Sequence, residues 1–130
     1  MKTLLTTFTL VFTLMFSSTS FAKWTEGTTS ERGDTFYLDY EGIRQHDEFV
    51  FFWLLMDFLK PNEGGNLSFK RYHQGDCKLF RMKFLSYVLH QQPMGRDVGT
   101  ALTEEDPKWY FPSPKSYDEH LLTRVCRATE

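Results

Sequence analysis

The chain has 130 residues, of which 17% are aromatic, and its 15 Lys+Arg against 17 Asp+Glu give a formal net charge of −2. This length allows one small domain, and the slight acidic excess argues against a protein built for nucleic acid, which needs a basic surface. The dense aromatic residues favour a packed, β-rich domain over a disordered chain.

The first 22 residues have the three-part layout of a secretory signal peptide. Lys2 precedes an apolar, threonine-rich run from Leu4 to Phe16, and Ser20 and Ala22 are the small residues expected before a cleavage site. A membrane anchor is the alternative, but this run is too short and too rich in threonine to hold firmly in a bilayer. We therefore expect cleavage after Ala22 and an exported domain over residues 23–130, without a transmembrane segment and without a lipid-acceptor Cys.

The first predicted elements of the exported part are two strands. Its polar opening gives a short strand near Trp24 and then a turn. The segment TFYLDY (residues 35–40) alternates, with Phe36, Leu38 and Tyr40 on one face, which is strand periodicity. The polar segment EGIRQHDE that follows is predicted to be the loop of a hairpin.

The longest apolar run, Phe49 to Met56 within EFVFFWLLMDFL, is predicted to be a central strand. It is too short for a membrane span, and Asp57 interrupts it. A buried helix is the harder alternative because Leu and Met favour helices, but the successive residues 49–53 are typical of a strand covered on both faces. A helix can shield one face, and the other needs strand curvature, a loop or a partner.

Two further strands are predicted over NLSFKRYH (residues 66–73) and CKLFRMKFLSYVLH (residues 77–90), joined near residues 74–76. A short edge strand is expected over 98–102. The second of the two long strands alternates, which predicts that Phe80, Met82, Phe84 and Val88 share one face.

Basic residues cluster among the aromatic residues of these two strands. The candidate binding patch consists of Lys70, Arg71, His73, Lys78, Arg81 and Lys83. An exposed strip of this kind would attract an acidic protein segment, a glycan or lipopolysaccharide. The alternative is an ordinary solvated sheet face, on which long basic side chains cover apolar neighbours.

The segment SYDEHLLTRVC is predicted to be an amphipathic C-terminal helix. Ser116 and Glu119 have the spacing of a capping box. The apolar residues of the segment fall on one helical stripe, made of Tyr117, Leu121, Leu122, Val125 and Cys126. This stripe is expected to pack on the sheet.

The two cysteines, Cys77 and Cys126, both lie in the predicted exported part. An oxidising compartment makes an intramolecular disulfide the default. A redox or nucleophilic pair is the alternative, but the separation is unlike Cys-x-x-Cys. The predicted fold class is therefore α+β: an antiparallel β-sheet with a C-terminal helix packed on one face, in a single domain tied by one disulfide.

No catalytic or metal-binding motif stands out. The four histidines, His46, His73, His90 and His120, lack the spacing of metal ligands, and no nucleophile elbow is present. We expect a non-enzymatic protein with no cofactor and no metal, whose partner is another protein. Part of the second face of residues 49–59 could bury against that partner or against a second copy, which would make a homodimer.

Three segments resemble the surface-adhesin protein E family of bacterial exported proteins. They are TFYLDYEGIRQHDEFVFFWLLMDF, DCKLFRMKFLSYV and KWYFPSPKSYDEHLLTRVC, and the similarity covers residues 24–127. The family's structural landmarks match this sequence at Asp39, Trp53, Asp57, Cys77, Trp109 and Cys126. The resemblance implies an antiparallel sheet with a packed helix, a bond between Cys77 and Cys126, and a bacterial origin.

The resemblance also implies that the protein binds host matrix or serum proteins. The family's best-known adhesin is lipid-anchored, whereas this sequence offers no lipid-acceptor Cys, so a periplasmic or released protein is expected. A periplasmic accessory or structural protein of the cell envelope, with no adhesive role, is the alternative.

Overall fold

The computed structural model describes residues 23–130, so the predicted signal peptide lies outside the described residues. Seven strands and one helix follow each other along this part of the chain. The strands are β1 (Trp24–Thr29), β2 (Thr35–Asp39), β3 (Arg44–His46), β4 (Phe49–Asp57), β5 (Ser68–Asp76), β6 (Arg81–His90) and β7 (Thr100–Thr103). The helix is α1 (Tyr117–Ala128), and a short 3-10 helix spans Pro93–Gly95.

The strands form one antiparallel sheet in the order β1-β2-β4-β5-β6-β7, and β3 pairs with a further stretch of β4. The predicted antiparallel sheet with a C-terminal helix is confirmed, and the Phe-rich segment is an interior strand as expected. β3 arises within the polar segment that was predicted to be a loop.

The core lies between the sheet and α1. Phe52 and Leu54 of β4 pack against Leu122 and Val125 of the helix, and all four are buried. Gly75 of β5 permits this close approach, since a Cβ at that position would lie 2.9 Å from Leu122 Cδ1. The helix therefore covers one face of the sheet, and no α-helix of the described residues packs on the opposite face.

The start of α1 follows the predicted cap with one difference. Ser116 Oγ accepts a hydrogen bond from the Glu119 amide at 3.2 Å, as an N-cap should. The Glu119 carboxylate accepts from the Lys115 amide, also at 3.2 Å, one residue before the position that a capping box uses.

The predicted disulfide is confirmed. Cys77 and Cys126 are bonded, with their Cα atoms 5.7 Å apart and a sequence separation of 49. Cys77 follows the end of β5 and Cys126 lies in the last part of α1. The bond therefore ties the helix to the sheet.

The turn between β5 and β6 lies at residues 77–80, and the prediction near residues 74–76 was wrong. The cause is Asp76, whose Oδ1 accepts hydrogen bonds from the amides of Lys78 and Leu79, both at 3.1 Å. A carboxylate that binds its own following amides favours a turn over a strand. Lys78 consequently lies on an exposed turn.

A β-bulge overturns the predicted alternation of β6. The register with β5 shifts between Tyr72 and His73, which leaves Leu85 without a partner on β5. Phe84 precedes this extra residue and faces the helix side, whereas Val88 follows it and lies on the opposite face. The prediction that these two share one face was wrong.

Candidate binding face of the sheet

The face of the sheet opposite α1 carries a group of aromatic side chains. Along β4, Phe49, Phe51 and Trp53 alternate with buried core residues, and successive side chains of a strand point to opposite faces. Tyr72 of β5 and Trp109, in the segment after β7, lie beside them. Each of the five is only partly buried. We call Phe49, Phe51, Trp53, Tyr72 and Trp109 the aromatic face.

The rings of the aromatic face contact each other across the strands. The ring centroids of Trp53 and Tyr72 are 4.8 Å apart, and those of Phe51 and Tyr72 are 6.2 Å apart. Phe49 and Trp109 lie 5.4 Å apart. These separations are typical of favourable aromatic pairs, so the rings hold each other in place.

Two basic side chains pack against one end of the aromatic face. Arg81 Cζ lies 4.3 Å and Lys83 Nζ 4.4 Å from the centroid of the Trp109 ring, which are cation–π distances. Arg81 also donates to Asp76 Oδ2 at 3.0 Å. Lys83 makes no ion pair with a carboxylate of the described residues. This end of the aromatic face therefore presents positive charge beside an indole ring.

Asp76 remains charged in this setting. Burial would raise the pKa of Asp76, but the amide of Leu79 and the guanidinium of Arg81 hold the pKa below its usual value. Both oxygens of the Asp76 carboxylate thus already accept hydrogen bonds, from the turn amides and from Arg81. This arrangement leaves the neighbouring Lys83 ammonium available.

The other end of the same sheet face is covered by the 3-10 helix. The Met94 amide donates to Asp57 Oδ1 at 2.7 Å, and Lys70 Nζ donates to the Gly95 carbonyl at 3.4 Å. Leu55, which follows Trp53 on this face, has no exposed surface. A loop is one of the three kinds of cover that the sequence suggested for this face, and here it limits the aromatic face to one half of the sheet.

The structure does not bring the six predicted basic residues together on one surface. Arg71 and His73 lie on the helix side, where Arg71 Nη2 is 3.3 Å from Asp118 Oδ1 and His73 is fully buried. Lys70 is tied to the 3-10 helix and Lys78 to its turn. Of the six, only Arg81 and Lys83 adjoin the aromatic face.

Arg71 belongs to a partly buried network at the start of α1. Tyr110 Oη donates to Asp118 Oδ2 at 2.9 Å. Burial, and then the adjacent Asp118 carboxylate, raise the pKa of Tyr110 well above its usual value. Burial lowers the pKa of Arg71, and Asp118 opposes that change. The network fastens the helix to the sheet.

The family landmarks fall into two kinds. Asp39 Oδ1 accepts from the Gly42 amide at 3.0 Å, and Asp57 accepts from Met94, so both carboxylates shape loops. Trp53 and Trp109 belong to the aromatic face. The landmarks thus mark both the scaffold and the exposed rings that it presents.

The sequence suggested that part of the second face of residues 49–59 buries against a partner, but Phe49, Phe51 and Tyr72 were not named as residues of a candidate site. The signal was present in the unbroken apolar run, because a strand that is apolar on both faces needs a second cover. What could not be predicted is that the cover stops at Leu55 and leaves the preceding rings accessible.

Possible metal sites and clefts were sought among the described residues. Within residues 23–130, no group of three His, Cys, Asp or Glu is placed to hold a metal ion. A cleft between α1 and β2, lined by Phe36, Tyr117 and Leu121 among others, holds about 30 Å³. That is room for a water molecule. Larger depressions, such as one of about 390 Å³ beside Tyr40 and Arg44, are more open to solvent.

A comparison with protein families decides the relationship. The family model described as surface-adhesin protein E matches residues 24–127. The chain belongs to this family. The match confirms the resemblance seen in the sequence, and it covers all the strands and nearly all of α1.

Solved structures of protein E from Haemophilus influenzae share the fold. One crystal form has a TM-score of 0.56 at 14% identity and aligns 71% of this chain with 80% of that chain. The selenomethionine form has a TM-score of 0.58 at 12% identity, with 78% and 85% aligned. At such identities the likeness shows the fold alone. Among curated proteins, none matches the sequence.

Membership of the family gives the protein a general class. The family is one of surface adhesins, which are exported proteins and not a class of enzymes. Within residues 23–130, no helix has the length and apolar character needed to cross a membrane.

Proposed function

We propose that this protein is an exported, non-enzymatic binding protein of the adhesin type, and that it attaches to host matrix or serum proteins through the aromatic face. The single observation that supports this is the set of five partly exposed rings on the sheet face that α1 leaves open. Residues 1–22 act as a signal peptide that is removed on export.

The chemistry of the aromatic face suits a protein partner. Tyr, Trp, Phe and Arg are the residue types enriched at protein interfaces, and Trp, Tyr and Arg dominate their binding energy. The face combines Trp53, Tyr72 and Trp109 with Arg81 at its border. Such a surface gains affinity when a partner removes the rings from water.

The rings are also held in position before binding. They stand on paired strands and contact each other, so little side-chain freedom remains to be lost on association. A flat sheet face with fixed rings fits a broad protein surface better than a small molecule, which needs a concave site.

The replacement Trp53→Ala tests this proposal. We expect the variant to bind immobilised matrix or serum proteins more weakly by about 2 kcal/mol, or roughly thirty-fold in Kd, because a central indole is removed from the interface. Surface plasmon resonance of the exported protein against a panel of purified matrix and serum proteins measures the change. Leu59→Ala is the control, since Leu59 is 66% exposed in the loop after β4, beyond the end of the sheet face that the 3-10 helix covers.

Equal binding by the Trp53→Ala variant and the wild type, with unchanged circular dichroism, would overturn the proposed use of this face. Absence of binding by the wild-type protein to every member of the panel would overturn the host-protein role itself.

Two other outcomes separate the alternatives. Labelling on intact cells supports an adhesin, whereas release only on osmotic shock favours a periplasmic accessory protein of the envelope.

Light scattering at several concentrations tests a homodimer, and a mass that falls to the monomer in the Trp53→Ala variant would assign the aromatic face to a second copy.

A further inference from the structure

We infer that the aromatic face takes an extended, acidic polypeptide segment of its partner, with apolar side chains over the rings of β4 and carboxylates beside Arg81 and Lys83. This inference rests on the proposed function and specifies the chemistry of the partner. It assigns separate roles to the rings and to the basic side chains.

Three basic strand residues border the aromatic face, although the whole chain has a net charge of −2. Arg44 of β3 pairs with Phe51, so its side chain emerges on the same face as Arg81 and Lys83. Glu26 is exposed on this side of the sheet, but it is in register with Tyr37 and Leu55, level with the half that the 3-10 helix covers. Next to the rings themselves, Asp39 is only 8% exposed and Asp76 only 5%.

Both of these carboxylates are already engaged. Asp39 accepts from the Gly42 amide, and Asp76 accepts from Arg81 and from two amides of its own turn. Lys83, by contrast, has no carboxylate partner within residues 23–130. The unmatched charge of this surface calls for an anionic partner.

The spacing of the rings favours a polypeptide over a polysaccharide. Phe49, Phe51 and Trp53 are alternate residues of one strand, so they repeat every 6.7 Å or so. An extended segment repeats its side chains on one face with the same period, and it can place one apolar side chain over each ring. Phenylalanine rings offer no hydrogen bonds to sugar hydroxyls.

The test uses three probes on the exported protein: the random copolymer of Glu and Tyr, poly-Glu, and heparin. We expect the copolymer to bind more tightly than poly-Glu, because it supplies both rings and carboxylates, and more tightly than heparin. Tighter binding of heparin than of the copolymer would overturn the inference in favour of a sulfated polysaccharide.

Variants of Lys83 isolate the charge. Lys83→Glu and Lys83→Gln are each expected to weaken copolymer binding by about tenfold or more, the effect of losing one charge-assisted hydrogen bond. Lys60→Glu is the matched control, because Lys60 is an exposed lysine in the loop after β4, away from the aromatic face. Equal binding by the Lys83 and Lys60 variants would overturn the inference.

The outcomes for host proteins distinguish the two proposals. If Trp53→Ala weakens binding to a matrix or serum protein and Lys83→Glu does not, the proposed function stands and the acidic-segment inference fails. If neither variant weakens binding to a host protein that the wild type binds, the proposed use of the aromatic face and the acidic-segment inference both fail.

Discussion

His73 is a histidine kept uncharged by its surroundings. Its ring has no exposed surface and stacks on the Phe52 ring, with centroids 5.2 Å apart. The Phe84 ring packs edge-to-face with it, at a centroid distance of 4.9 Å. Neither ring nitrogen has a hydrogen-bond partner among the described residues. Burial, and then the nearby Arg71, lower the pKa of His73 well below its usual value of 6.5.

This lowered pKa predicts a loss of stability in mild acid. In the unfolded chain His73 takes up a proton near pH 6.5, whereas in the folded chain it does not, so its contribution is complete above pH 6.5 and declines below it. The free energy of unfolding should fall by up to about 1.4 kcal/mol per pH unit through this one group. Urea unfolding at pH 7.5 and in steps below pH 6.5 measures it.

The variant His73→Phe should lose this component of the pH dependence, because a phenyl ring stacks similarly and does not titrate. His120→Gln provides the control, since His120 is exposed on α1. A pH dependence that is identical in wild type and His73→Phe would contradict the argument.

Between elements, the disulfide is the main covalent constraint. It joins the residue after β5 to the last part of the helix, and it thereby holds the apolar stripe of α1 against Phe52 and Leu54. Its structural role is to fasten the helix to the sheet.

Replacing both cysteines, in the variant Cys77→Ser/Cys126→Ser, should lower the free energy of unfolding by roughly 4 kcal/mol on the chain-entropy estimate for a loop of 49 residues. Urea unfolding of oxidised wild type, reduced wild type and the variant measures this. Reductant should leave the variant unchanged. Equal midpoints for oxidised and reduced wild type would show that the bond does not stabilise the fold.

Most elements could be predicted from their patterns, and the exceptions have local causes. β4 was found from its unbroken apolar run, and α1 was found from its apolar stripe and the Ser116 cap, which are all strong signals. β3 was missed because its residues are polar and it forms only by pairing with β4. The bulge at Leu85 has no signature in one sequence, since it reflects how two strands align.

The candidate site was predicted in part for the same reasons. Lys83 and Arg81 could be named because they are basic residues among aromatic residues on a predicted strand. The burial of His73 and Arg71 could not, because it depends on the helix that packs above them. The accessible rings of β4 required knowledge of where the 3-10 helix ends.

Across the whole molecule, charge is unevenly distributed. The chain is slightly acidic, yet the strand residues around the aromatic face present Arg44, Arg81 and Lys83. An acidic partner is therefore attracted locally and repelled weakly at long range. The balance between these effects depends on ionic strength.

Association with the copolymer of Glu and Tyr should slow as salt rises from about 0.1 M to about 1 M, over which the Debye length falls from about 10 Å to about 3 Å. The rate constant from stopped-flow fluorescence of Trp53 and Trp109 measures this. The Lys83→Glu variant should show a weaker salt dependence than Lys60→Glu. A rate that does not change with salt would mean that apolar contact alone drives the encounter.

The position of α1 at the end of the described chain has a consequence for biogenesis. A polypeptide emerges from a translocation channel in order, so β1 to β7 reach the far side of the membrane before residues 117–128. During that interval the sheet face that α1 will cover is exposed to water, and Cys77 is an unpaired thiol. Export of this protein in a folded form should therefore depend on a holding chaperone and a thiol oxidase, and chains truncated before Tyr117 should be degraded.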